Sequence, residues 1–301
     1  NGTKEFDKET LKEALKGVGI GESLIFDRSL LDKAEQELKR QYLSRSKYGA
    51  QVQTRVDQLA RNRVGITFNV DEGESASIKQ LKILGAKDFE EEELLEEFEL
   101  STGGWMSWYS KNDQYSRQKL SGDIEKLRSF YLNRGYADFN IENTQVQIAP
   151  NKQDIFITIT IKEGEKFTFG DIELSGQLLG RDDELRSLIK MKKGETFNGE
   201  LLTDSSKAIQ DRLGNYGYAF ANANVIPDLD REKRVVNINM AVDTGKRVYV
   251  RRMNVGGNTR TKDEVIRREF RQFESSWYDS RKIQLSKERV DRLGYFSNVD
   301  I

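Results

Sequence analysis

The chain has 301 residues, 36% of them apolar and 33% charged, with 49 Lys and Arg almost balancing 50 Asp and Glu. That balance leaves no electrostatic footprint for nucleic acid or an anionic surface, and no apolar run approaches the roughly 20 residues of a membrane-spanning helix. Cys and His are both absent, which removes disulfides, thiol catalysis, Cys–His zinc sites and the commonest general base, so neither an enzyme nor a cofactor is expected.

In chain order, Gly17-Val18-Gly19-Ile20-Gly21 follows a helical segment. A dinucleotide loop would follow a strand, so this reads as a turn between helices. Leu31, Ala34, Leu38 and Tyr42 form the buried stripe of a longer helix. Tyr48-Gly49-Ala50 then reads as its C-terminal cap, with a strand from Val52 to Val56. Val64, Ile66, Phe68 and Val70 alternate with polar residues and run into Glu72-Gly73, the pattern of a half-buried strand and its exit turn.

The same order then repeats. A short strand through Leu81 and Ile83 ends at Gly85, and an acid-rich helix is predicted from Asp88 to Phe98, with Asp88 and Glu91 at capping-box spacing. The eight acids of 88–99 read as a solvated helix face. An insertion over 101–113 carries Trp105, Trp108 and Tyr109, either a private mini-core or a recognition patch. Leu120, Ile124, Leu127 and Tyr131 mark the long helix, and Gly135-Tyr136-Ala137 ends it. The strand from Phe139 to Ile148 changes phase, which predicts a bulge between Glu142 and Thr144. Ile155, Ile157, Ile159 and Ile161 lead to Glu163-Gly164.

A third copy runs through Ile172, Leu174 and Gly176, the turn Gly194-Glu195-Thr196-Phe197, the stripe Leu202, Ile209, Leu213, and Gly217-Tyr218-Ala219. Its remaining strands are 219–226 and Val236 to Val242, ending at Thr244-Gly245. A fourth copy has Met253, Val255 and Gly257, a helix over 261–273, the stripe Ile283, Val290, Leu293, and Gly294-Tyr295-Phe296. Asn1 falls in a strand-to-helix turn and Ile301 in a strand, so both ends read as cuts through a longer chain.

The fold class is therefore α+β, in tandem β-α-α-β-β repeats over 1–73, 74–164, 165–245 and 246–301. Each repeat is expected to form a three-stranded mixed sheet covered by two antiparallel helices. The first lacks its opening strand and the fourth its closing one. The two prolines, Pro150 and Pro227, each fall after a middle strand. Proline belongs at sheet edges, so the middle strand should lie at the edge and the uniformly apolar third strand at the centre.

These units resemble POTRA domains, which stand in front of outer-membrane β-barrels. The resemblance spans essentially the whole chain. It rests on Arg61-Asn62-Arg63-Val64, Gln118-Lys119-Leu120-Ser121-Gly122-Asp123, Arg128-Ser129-Phe130-Tyr131-Leu132, Arg134-Gly135-Tyr136-Ala137, Asn215-Tyr216-Gly217-Tyr218-Ala219, Val250-Arg251-Arg252 and Arg267-Arg268-Glu269. It implies the second to fifth domains of a barrel-assembly factor without its barrel. The implied setting is periplasmic, with attachment to the outer membrane only through the missing barrel. Implied partners are unfolded outer-membrane proteins, periplasmic chaperones and assembly-machinery lipoproteins. Clients would add a strand to an open edge, at Phe139, Asn140, Ile141, Glu142, Val146 and Ile148 or at Ala221, Ala223 and Val225. A lipoprotein would dock at Glu274 and Trp277, where Ser275 stands in a position that is often glycine in this family. The alternatives are a passive spacer or the POTRA region of a related translocation or secretion factor.

Overall fold

The computed structural model describes residues 2–61, 63–102 and 113–301. The chain divides into two compact units, Asn1–Arg128 with Phe139–Glu163, and Ser129–Asp138 with Gly164–Ile301.

In the first unit, α1 (Lys8–Gly17) and α2 (Leu30–Leu43) precede the hairpin β1 (Gln51–Leu59) and β2 (Arg63–Asp71). Leu11, Leu38, Tyr42, Val52 and Val70 form the core of this repeat. Next come β3 (Ser77–Leu84), a short α3 (Glu91–Glu96), α4 (Arg117–Leu132, shared with the second unit), β4 (Asn140–Ile148) and β5 (Asp154–Lys162). The sheet order is β3-β5-β4, with β3 parallel and β4 antiparallel to the central β5. Ile155, Ile157, Ile159 and Ile161 are all buried, as expected of a central strand with one face on the core.

The second unit repeats the plan with β6 (Thr168–Gly176), α5 (Asp182–Arg186), α6 (Gly199–Gly214), β7 (Asn222–Asp230) and β8 (Val235–Asp243), in the order β6-β8-β7. Its core gathers Phe169, Leu185, Phe197, Ile209, Leu213 and Met240. The fourth copy contributes α7 (Asp263–Arg267) and α8 (Ser280–Asp291). The segment 250–257 joins no ladder.

The middle strand thus lies at an edge and the third strand at the centre, as the prolines suggested. Other expectations change. Asp88 does not cap α3, because the cap position falls two residues later, at Glu90. Glu91 instead accepts the Ile83 N–H at 2.7 Å, and Asp88 N–H faces the buried Glu163 carboxylate. Pro227 lies inside β7, opposite Ile238, rather than after it. In the first copy Ser46, not Gly49, takes the left-handed cap, with φ of 59° against 105° at Gly135 and 97° at Gly217. The sequence signal misled because Gly49 stands next to a tyrosine three residues too late.

Candidate partner-binding edges and docking loop

A three-stranded sheet has two edges, and local bonds decide which one is open. The first-strand edge is covered by the same chain. Ile78 N–H donates to the Asp113 carbonyl at 2.8 Å, Phe169 N–H to Glu195 at 2.8 Å and Val250 N–H to Ser276 at 2.9 Å. In the second, third and fourth copies a residue ahead of the long helix thus pairs with the start of the first strand. This strand is also bulged, between Ile78 and Gln80 in β3 and between Phe169 and Ile172 in β6. Gly170 sits in that second bulge, where a Cβ would lie 2.1 Å from Asn237 Oδ1. Bulges and covering segments are standard ways to blunt an edge.

The opposite edge is β4 or β7. In β4 the register shifts between Ile141 and Asn143, so Glu142 is the bulged residue, inside the predicted window. Ala149 N–H donates to Asp154 across the hairpin. The two-residue alternation of an antiparallel ladder then turns Gln147, Gln145 and Asn143 toward β5 and leaves the N–H and C=O of Thr144, Val146 and Ile148 facing outward. Ile141, Thr144 and Val146 are half-buried, while Asn140, Glu142 and Ile148 are exposed. Phe139 precedes the strand and is a core residue, 5% exposed.

β7 differs. Ser206 Oγ on α6 donates to the Ala223 carbonyl at 2.6 Å, so that carbonyl faces outward and is already taken. The alternation puts Val225, Pro227 and Leu229 on the same outward set. Ala223 is buried, Val225 half-buried, and Ala221 lies before the strand.

The third candidate is the loop before α8. Gln272, 2% exposed, donates through Nε2 to Ser276 Oγ (2.7 Å) and to the Trp277 carbonyl (3.0 Å), and its Oε1 accepts Asp279 N–H (2.9 Å). Nothing in the sequence pattern flagged this glutamine, since the matching place in the third copy is Met191, a core residue. Its bonds hold Phe273, Glu274 and Trp277 outward; Phe273 is 62% and Trp277 52% exposed. Arg247 lies 4.3 Å from the Trp277 ring centroid, and its Nε donates to the Tyr216 carbonyl at 2.8 Å. Glu274 is anchored, accepting Met253 N–H at 2.8 Å beside Arg267 at 3.6 Å. Ser275 takes a φ of 58°, a region that glycine enters without strain. Trp105, Trp108 and Tyr109 lie outside the described residues.

Among the described residues no group of His, Cys, Asp or Glu is placed to hold a metal ion. Among the same residues no helix is long and apolar enough to cross a membrane.

The family model for POTRA, described as surface antigen variable number repeat, matches residues 1–73, 76–164, 167–245 and 248–301. The chain belongs to the POTRA family. It is 37% identical over 299 residues to the outer membrane protein assembly factor BamA of Neisseria meningitidis serogroup B, covering 99% of this chain and 38% of that one. It is 32% identical over 241 residues to BamA of Buchnera aphidicola, covering 80% of this chain and 39% of the relative. The chain therefore spans well under half the length of these relatives. The crystal structure of Haemophilus influenzae BamA POTRA3-5 superposes with a TM-score of 0.66 at 31% identity, over 75% of this chain and 88% of that one.

Proposed function

We propose that this array is the periplasmic part of an outer-membrane protein assembly factor, with copies meeting near 73, 164 and 245, and that β4 takes unfolded client strands by β-augmentation. The observation that carries this reading is the asymmetry of the edges. The first-strand edges are bonded to their own loops, whereas β4, bulged only at Glu142, leaves the backbone groups of Thr144, Val146 and Ile148 without an intramolecular ladder. Ladder bonds are made by any non-proline residue, so such an edge accepts many sequences, as an assembly factor must.

The same reading gives the Glu274–Trp277 loop to an accessory lipoprotein. Its support is the cluster of exposed aromatic side chains held by a buried glutamine, since rigid aromatics dominate protein interfaces. Anchoring to the outer membrane would come from a barrel outside this sequence.

Titrating the chain with a peptide from a transmembrane β-strand, followed by amide NMR, tests the client part. The expected result is shifts concentrated over 140–148. An unchanged spectrum at millimolar peptide would instead make the array a passive spacer.

A further inference from the structure

We infer that β7 is an edge closed by its own helix and by Pro227, so that client strands are excluded from the third copy and directed to β4. The inference rests on the strand-capture reading above, and it departs from the expectation that both edges serve alike.

Two independent features close β7. The first is a side-chain strap. Ser206 Oγ bonds the outward Ala223 carbonyl at 2.6 Å, and Gln210 Nε2 reaches both Ser206 Oγ and Asn222 Oδ1 at 3.2 Å. An incoming strand would have to displace this network to use the Ala223 carbonyl. The second is Pro227. It stands on the outward set, has no N–H to offer, and its ring occupies the space where a partner carbonyl would approach. Of the four outward residues 223, 225, 227 and 229, only Val225 and Leu229 keep both backbone groups. They lie four residues apart, too far to hold a continuous ladder.

The first and second copies lack the strap at the matching helix position. Ala34, Asp123 and Ser205 are the buried residues at one place on the long helices of the first three copies. The next residue is Ser206 in the third copy, Ile124 in the second and Glu35 in the first. Isoleucine has no donor. Glu35 is an acceptor and takes the Thr54 hydroxyl at 2.5 Å, leaving the β1 carbonyls untouched. Proline is absent from both β1 and β4. Natural sheets protect edges with proline and covering side chains, and among the middle strands β1, β4 and β7 both devices fall on β7 alone.

The test compares the natural chain with the double variant Ser206→Ala, Pro227→Val, using amide NMR and one ten-residue peptide from a transmembrane β-strand. In the natural chain the shifts should fall on β4 and spare 222–230. The variant, with the dispersed spectrum of its other residues unchanged, should gain shifts over 223–229 and bind there at least tenfold more tightly. Shifts along β7 in the natural chain equal to those on β4 would overturn the closure and leave the capture reading standing. A variant that binds on β4 but stays silent on β7 would also overturn it. Silence on both edges in both proteins would remove the capture reading and this inference with it.

Discussion

Ser205 Oγ accepts the Lys190 N–H at 3.0 Å and donates to the Leu201 carbonyl at 2.7 Å. The fully buried hydroxyl of the long helix thus ties down the chain leaving the short one. Ser286 does the same, accepting Arg271 N–H at 2.8 Å, and Asp123 accepts Glu99 and Leu100 N–H at 2.7 and 2.9 Å. In the first copy the place is Ala34. There α1 runs on and closes on its own carbonyls, with Ile20 N–H bonding Leu15 O at 3.0 Å, so no polar side chain is needed. Replacing Ser205 with Ala leaves the Lys190 N–H unpaired and should cost about 1–3 kcal/mol, read by denaturant unfolding of the second compact unit. Asp123→Ala, which frees two amides, should cost more.

Gly176 has φ of 92°, and a Cβ there would lie 2.2 Å from the Val242 carbonyl. Gly85 stands in the same relation to Ile161, at 2.1 Å. Gly176→Ala should therefore lose at least about 1–3 kcal/mol from backbone strain alone. Gly122, inside α4 with no described residue within 4 Å of its Cβ position, should gain about 0.5–1 kcal/mol as Ala. Thermal unfolding of the two variants should move in opposite directions.

Glu184 accepts the Tyr216 hydroxyl at 2.7 Å and is clasped by Arg181 and Arg212 at 2.9 and 2.6 Å. The Tyr216 bond, then those arginines, hold its carboxyl down at about 2, against 4.5 for a free glutamate. The folded value is the lower one, so its stabilising effect is complete above about pH 4.5 and is lost as pH falls toward 2. Acid titration of unfolding should show a slope in that window that Glu184→Gln flattens.

Gln272→Ala should release the loop that presents Trp277. The Trp277 indole N–H signal should move toward its position in an unstructured peptide, while the shifts of β7 and β8 stay fixed. An unmoved indole signal would mean that Arg247, stacked on the ring, holds it alone.

The periodic elements were legible in the sequence, because one-sided burial writes itself as spacing. The four apolar alternations of β5 and the stripe through Leu127 and Tyr131 are direct cases, and the Glu142 bulge followed from a change of phase. Elements set by single polar contacts were not legible. Ser46 replaces a cap glycine without any compositional sign, and Asp88 has capping spacing although Glu91 bonds Ile83 instead. The edges show the same limit. Pro227 is visible in the sequence, but the Ser206 bond that shares its effect joins residues 17 apart, on a helix and a strand.

The central claim is that β4 pairs with client backbone through its outward amides. Val146→Pro tests it most directly, because that N–H faces away from β5 and its loss spares the sheet's own ladder. With β5 shifts unchanged, affinity for a transmembrane-strand peptide should fall at least about tenfold, the 1.4 kcal/mol scale of one lost bond and its clash. Unchanged affinity in a folded Val146→Pro chain would contradict strand addition at β4.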